Sequence, residues 1–167
     1  MSVGLVYLRP LRLVGINSPR ASGVSIRKSW DILNDWITRK SLGSEVEIGY
    51  GLLQHSALED GGACFEACIE LPSSVTKSET NELKRLRLQG GAYFRRRHNG
   101  PVSSMLSELR SMHAELGDGG HVKIDLGRPI VTVIFDVRQL RYGDEVRSNL
   151  LIPARGCDKF QNSRRAA

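Results

Sequence analysis

Apolar residues recur along this chain with two periods, and the changes from one period to the other divide it into elements. Val102, Met105, Leu106, Leu109, Met112 and Leu116 lie three or four apart, which places them on one stripe of an α-helix. The spacing predicts a helix over 101–116. Pro101 suits its first position, Asn99 and Gly100 suit the turn before it, and Gly117 suits its C-terminal stop. Ile26, Trp30, Leu33 and Ile37 repeat the pattern earlier and predict a first helix over 24–41, ended by Leu42-Gly43.

Period two marks the strands. Leu11 to Ile16 reads as a strand that begins at Val3 to Tyr7, with Arg9-Pro10 as a bulge or edge feature, because proline cannot donate in a ladder. Val46, Ile48 and Tyr50 alternate with Glu47, Gly49 and Gly51, a strand from Glu45 to about Leu53. In the next, over 63–71, Phe65, Ala67, Ile69 and Leu71 share one face, and Cys64, Glu66, Cys68 and Glu70 the other. Leu83, Leu86 and Leu88 lead into a fourth strand around Ala92 to Arg97. Ile130 to Phe135 is the most apolar run, so it belongs at the sheet centre, covered on both faces. Glu145 to Ile152 closes the fold. Polar stretches at 55–62, 73–81, 117–120 and 138–144 are the loops and the link, and Val122 to Leu126 is a short extended piece.

The order strand, helix, strand, strand thus occurs twice, and each half closes alike, on Ala67 to Pro72 and on Ser148 to Pro153. A period this long is a duplication. The expected fold is α+β: a duplicated strand–helix–strand–strand module forming one curved antiparallel sheet, with two helices on one face and a central groove on the other. It is a single domain over 1–154, half one about 3–72 and half two about 84–153, followed by a mobile basic tail over 155–167. A groove between repeats is where small molecules bind.

Composition narrows the classes. With 167 residues, 40% hydrophobic and 25% charged, the chain fits a globular domain. No apolar run approaches the roughly 20 residues that span a bilayer, and the start lacks a signal peptide's pattern, so a soluble cytoplasmic protein is expected. Three cysteines make no disulfide framework. The net charge of +6 invites a nucleic-acid reading. However, much of the excess sits in the tail, at Arg155, Lys159, Arg164 and Arg165, and alternation splits Arg95, Arg96 and Arg97 between two faces. Direct nucleic-acid binding is therefore not expected.

Cys64, Glu66 and Cys68 lack the second ligand pair of a zinc site, and no phosphate loop, nucleophile elbow or His-Glu-x-x-His is present. No metal, cofactor or catalytic residue is assigned. The candidate ligand-binding residues are Trp30, Tyr50, Glu66, Tyr93, Phe135 and Glu47: aromatics to cover an apolar ligand and carboxylates to attract a cation or donor.

The stretches Leu11-Arg12-Leu13-Val14-Gly15-Ile16, Trp30-x-x-Leu33-x-x-Trp36, Cys64-Phe65-Glu66-Ala67-Cys68-Ile69, Gly90-Gly91-Ala92-Tyr93-Phe94 and Gly100-Pro101, in that order, resemble the GyrI-like small-molecule-binding domain, over roughly 3–153. That is the domain of the DNA gyrase inhibitory protein and of the effector-binding half of AraC- and MerR-type regulators. The resemblance implies the duplicated fold and a groove for amphipathic, often cationic, molecules around a buried glutamate. Some members hydrolyse reactive cyclopropane compounds with that glutamate and a tyrosine. At the matching positions this chain has Val131 and Val133, and Val102 replaces the tyrosine that often follows Gly-Pro. The expectation is a stand-alone module that sequesters or senses an amphipathic drug or effector, in keeping with multidrug binding and transcription regulation. Its partners would be that small molecule and a regulator or gyrase, with no membrane, as a monomer or weak homodimer. The rivals are hydrolysis of an electrophile, with Glu66 or Glu47 acting on water, and a gyrase-inhibitor-like interaction role.

Overall fold

Local sequence sets each element's limits in the computed structural model, which describes residues 2–60, 64–120, 122–141 and 143–155; most of the expected tail lies outside them. The strands are β1 (Gly4–Leu8), β2 (Leu11–Ser18), β3 (Gly49–Leu53), β4 (Phe65–Glu70), β5 (Lys84–Leu88), β6 (Gly91–Pro101), β7 (Ile130–Ile134) and β8 (Glu145–Pro153). The helices are α1 (Gly23–Arg39), the single turn α2 (Ala57–Asp60) and α3 (Met105–Asp118). None is long and apolar enough to cross a membrane. Ser22 opens α1, its hydroxyl accepting from the Ser25 N–H at 3.2 Å, the usual N-cap bond.

The second helix begins later than its spacing predicts. Asn99 and Gly100 pair with Arg147 and Val146 of β8, so β6 runs on through Pro101. Pro101 is extended (φ −65°, ψ 145°) and caps a 3-10 turn, Val102–Ser104. At its other end α3 passes through Gly117 and stops at Gly119. A helix tolerates one interior glycine at about 1 kcal/mol, and Gly120, at φ +63°, supplies the break.

All eight strands form one antiparallel sheet, in the order β1-β6-β8-β7-β3-β4-β2-β5. The β7·β3 junction therefore divides the sheet into two halves of four strands, where three were expected. The single strand expected from Val3 to Ile16 is broken at Arg9-Pro10, because proline ends the ladder there: β1 pairs with β6, and β2 with β4 and β5. β5 is the strand not anticipated; its alternation of Leu86 and Leu88 with Arg85 and Arg87 spans only five residues.

This order forces the sheet to curl. β1 and β2 stand six places apart, about 29 Å in a flat sheet at ~4.8 Å per strand. Yet only Arg9 and Pro10 join them, a reach of about 11 Å. Gln89 and Gly90 join β5 to β6 under the same constraint. The two links cross and touch: a Cβ on Gly90, which has φ +78°, would lie 2.4 Å from the Leu8 carbonyl oxygen and 2.8 Å from the Pro10 nitrogen. Only glycine fits that crossing. The sheet stays open, since β1 and β5 do not pair with each other.

Two apolar clusters result. On the helix side Trp30, Leu33, Leu109 and Met112 pack on Val14, Phe65, Ile69, Ile130 and Ile134. Inside the curl Leu11, Leu13, Tyr50, Leu52, Cys68, Leu88, Tyr93, Val131, Val133 and Leu151 pack on one another. β7 is buried along its whole length, as expected of the most apolar run in the chain.

Candidate functional site

The inside of the curl is packed by its apolar cluster and opens beside the β5–β6 link. There a cavity of about 320 Å³ lies between β3, β4, β5, the start of β6 and the loop before β7. Leu52, Leu86 and Leu88 supply its apolar wall, Cys64 and Glu66 its polar side, and Tyr93 and Arg128 its far side, with Arg87 on the β5 edge, its side chain alternating away from Leu86 and Leu88.

Tyr93 reaches the interior because β6 alternates. Its side chain is fully buried, and its hydroxyl has no hydrogen-bond partner among the described residues. An unpaired buried hydroxyl costs about 1–3 kcal/mol, so this atom is the unfinished part of the site. Burial pushes the phenol's pKa up, while the Arg128 charge works in the opposite direction.

Arg128 is held rigidly. Its guanidinium carbon sits 4.9 Å from the centre of the Tyr93 ring, in range for a cation–π contact. Nε donates to Asp125 Oδ2 at 2.9 Å, Nη1 to the Gly90 carbonyl at 2.9 Å, and Nη2 to the carbonyls of Ala92 and Ala154 at 3.0 and 2.6 Å. It thereby fastens the β5–β6 link to the ends of β6 and β8. The bond from Arg128 holds the Asp125 carboxyl below its usual range. His55 Nε2 meets the Arg128 carbonyl at 2.8 Å, and His55 Nδ1 lies 3.4 Å from His113 Nε2 on α3. Burial, then the neighbouring His55, lowers the His113 pKa.

Glu66 is mostly buried, and its Oε1 accepts from Lys84 Nζ and, at 3.2 Å, from Asn17 Nδ2. The bond to Glu66 raises the Lys84 pKa. Cys68, next inward on β4, has its thiol pushed up by burial, whereas Cys64 is exposed at the rim. The described residues contain no group of three or more His, Cys, Asp or Glu placed to hold a metal.

Of the six residues singled out by sequence, Tyr93 and Glu66 line the cavity. Tyr50 belongs to the interior cluster but not to the cavity lining, with burial raising its pKa. Trp30 lies on the opposite face of the sheet, because α1 turns its stripe to the helix-side core. It stands edge-on to Phe65, ring centres 6.2 Å apart, above Gly49. Phe135 follows β7 and is 40% exposed. Glu47 precedes β3 and is exposed; its backbone carbonyl accepts from the Val137 N–H at 2.9 Å. Neither lines the cavity. Sequence reasoning missed Arg128, Arg87 and Lys84: the first sits in a polar loop, and the others lie on the strand that was not anticipated.

No family model matches the sequence, and no curated protein does. Solved structures do. SAV2435 bound to tetraphenylphosphonium aligns over 95% of this chain and 97% of its own, at 13% identity and a TM-score of 0.57. The EcmrR C-terminal domain aligns over 92% and 96%, at 10% identity and 0.64. A hydrolase from Listeria innocua aligns over 91% of each chain, at 14% identity and 0.61. The chain has the GyrI-like fold.

Proposed function

We propose that this chain is a small-molecule-binding module of the effector- or drug-binding kind, and that the ligand occupies the cavity between β5 and the β3–β4 wall. The observation that carries the reading is the Tyr93 hydroxyl, buried beside the cavity without a partner. A ligand that accepts from it removes a penalty the free protein bears, so affinity is gained at a prepared point. Apolar burial against Leu52, Leu86 and Leu88 supplies most of the rest, at about 25 cal/mol per Å². The fold supports the same reading, since one structure with it holds tetraphenylphosphonium. Occupancy would sequester the compound in the cytoplasm or signal it to a regulator.

The hydrolytic alternative finds support in the hydrolase neighbour and in the presence of Glu66 at the cavity. Its weakness is that the Glu66 carboxylate is already engaged by Lys84 and Asn17, which leaves it a poor base for water.

A thermal-shift screen of amphipathic compounds tests the proposal. A ligand at about 100 times its Kd should raise Tm by roughly 5–10 °C, and Tyr93→Trp, which fills the cavity's far side, should abolish the shift. A shift that survives in Tyr93→Trp would place binding elsewhere and overturn the assignment.

A further inference from the structure

The polarity of this cavity points to a ligand class, on the premise that the cavity binds a small molecule. Three charged residues border it: Glu66, Arg128 and, on the β5 edge with its side chain alternating away from Leu86 and Leu88, Arg87. Two are already matched, Glu66 by Lys84 and Arg128 by Asp125. Arg87 has no ion pair among the described residues. The cavity's surroundings therefore carry a net positive charge, and the one buried polar atom lacking a partner there, the Tyr93 hydroxyl, is a donor seeking an acceptor. A lipophilic cation would be disfavoured by the unmatched charge of Arg87 nearby, and would leave the hydroxyl unpaired.

We infer that the ligand is a small apolar molecule ending in a hydrogen-bond acceptor, a carboxylate in preference to a neutral carbonyl, with that end at Tyr93 and Arg128. The Arg87 charge on the β5 edge draws the anion in, and Arg128, stacked on the Tyr93 ring, makes the phenol a stronger donor. The volume of about 320 Å³ lies at the lower end of ligand sites and suits a skeleton of one or two fused rings. A bulkier cation such as tetraphenylphosphonium, held by a neighbour of the same fold, matches neither the size nor the sign.

Three probes on one skeleton test this by calorimetry with the full chain: 2-naphthoate, 2-acetylnaphthalene and trimethyl(2-naphthyl)ammonium, with tetraphenylphosphonium as a fourth. We expect naphthoate to bind tightest, the ketone next and the ammonium at least about tenfold more weakly than naphthoate, the factor that one charge-assisted hydrogen bond supplies. Tyr93→Phe, whose fold is verified by circular dichroism, should weaken naphthoate and the ketone by about tenfold and leave the ammonium unchanged. Arg87→Gln should weaken naphthoate alone. An ammonium probe that binds as tightly as naphthoate, or a Tyr93→Phe protein that binds all probes like the parent, overturns the inference. Tetraphenylphosphonium binding while the naphthalene acceptors do not would overturn it too, and would leave the small-molecule reading standing. Silence from all four probes would count against both.

Discussion

The two halves of this sheet share one plan and carry different chemistry. Strands β5, β2, β4 and β3, read inward from one edge, correspond to β1, β6, β8 and β7, read from the other. The ladders fix the match residue by residue. Leu13 pairs with Glu70 and Leu86, as Tyr93 pairs with Pro153 and Val6. Gly51 pairs with Ala67 and Thr132, as Thr132 pairs with Leu150 and Gly51. At the cavity end stand Tyr93, Glu66, Lys84 and Arg87. By the same correspondence, their counterparts are Leu13, Asn149, Gly4 and Tyr7. The fold needs apolar pairing at both ends; the cavity's polar set exists in one copy only. Duplication thus accounts for the scaffold, and departure from it for the site.

The largest way to probe the comparison is through Trp30. At Gly49 the first half leaves room for this ring, whose atoms would lie 2.9 Å from any Cβ there; the matching position in the second half, Ile130, brings its own side chain. Trp30 is therefore part of how the first half fills its core. Trp30→Ala should cost about 3–5 kcal/mol, read from urea unfolding. A cost below about 1 kcal/mol would mean that α1 is not anchored as described.

Next in size is the matched pair Leu13 and Tyr93. Both are buried in the interior cluster. Leu13→Ala should cost about 2–5 kcal/mol. Tyr93→Phe should change stability by no more than about 0.5 kcal/mol, or increase it slightly, because the group removed has no partner to lose. A large loss in Tyr93→Phe would reveal a hydrogen bond within the protein and remove the reason for placing a ligand there.

Much of this contrast was legible in the chain. The two helical stripes, the buried run at Ile130 and the closing strand are strong periodic signals, and the repeat they form specified the fold. What escaped was short or non-local. β5 offers only five residues of alternation, and nothing local says that β1 pairs with β6 rather than continuing into β2. The curl follows from the short links that these strands make. The site was legible only where a strand's alternation settled it, at Tyr93 and Glu66. Trp30 went to the other face because an aromatic on a helix stripe carries no mark of which side of the sheet it covers. Arg128 makes its contacts with the backbone of two distant segments, at Gly90 and Ala92 and at Ala154, and no spacing in the sequence encodes those.

A smaller effect separates the halves in acid. Where β2 has Ile16, β6 has Arg96, buried and bonded to Glu115 of α3. That bond holds the Glu115 carboxyl below its usual range. A carboxyl lowered in the folded state contributes stability that is fully present above its unfolded pKa, near 4.3, and is lost as pH falls through the folded value. Glu115→Gln should therefore flatten the fall of Tm between about pH 5 and pH 3. Asp125 and Asp136, lowered by Arg128 and Arg138, keep part of that fall in place. An unchanged Tm profile in Glu115→Gln would show that Arg96 finds its compensation elsewhere.

The smallest change in stability is expected at Lys84, and it sharpens the comparison most. Its counterpart is Gly4, which has no side chain to offer Asn149, whereas Lys84 neutralises Glu66. The lysine is half exposed, so Lys84→Ala should cost no more than about 1 kcal/mol. Its effect on the cavity is larger: the Glu66 carboxylate loses its countercharge and faces the ligand, held only by Asn17. The local charge falls by one, and trimethyl(2-naphthyl)ammonium should gain affinity while 2-naphthoate loses it, each by severalfold. Titrating both probes against the parent and Lys84→Ala reads this directly. If neither affinity moves, Glu66 is not part of the ligand's surroundings, and the cavity's selectivity rests on Tyr93, Arg87 and Arg128 alone.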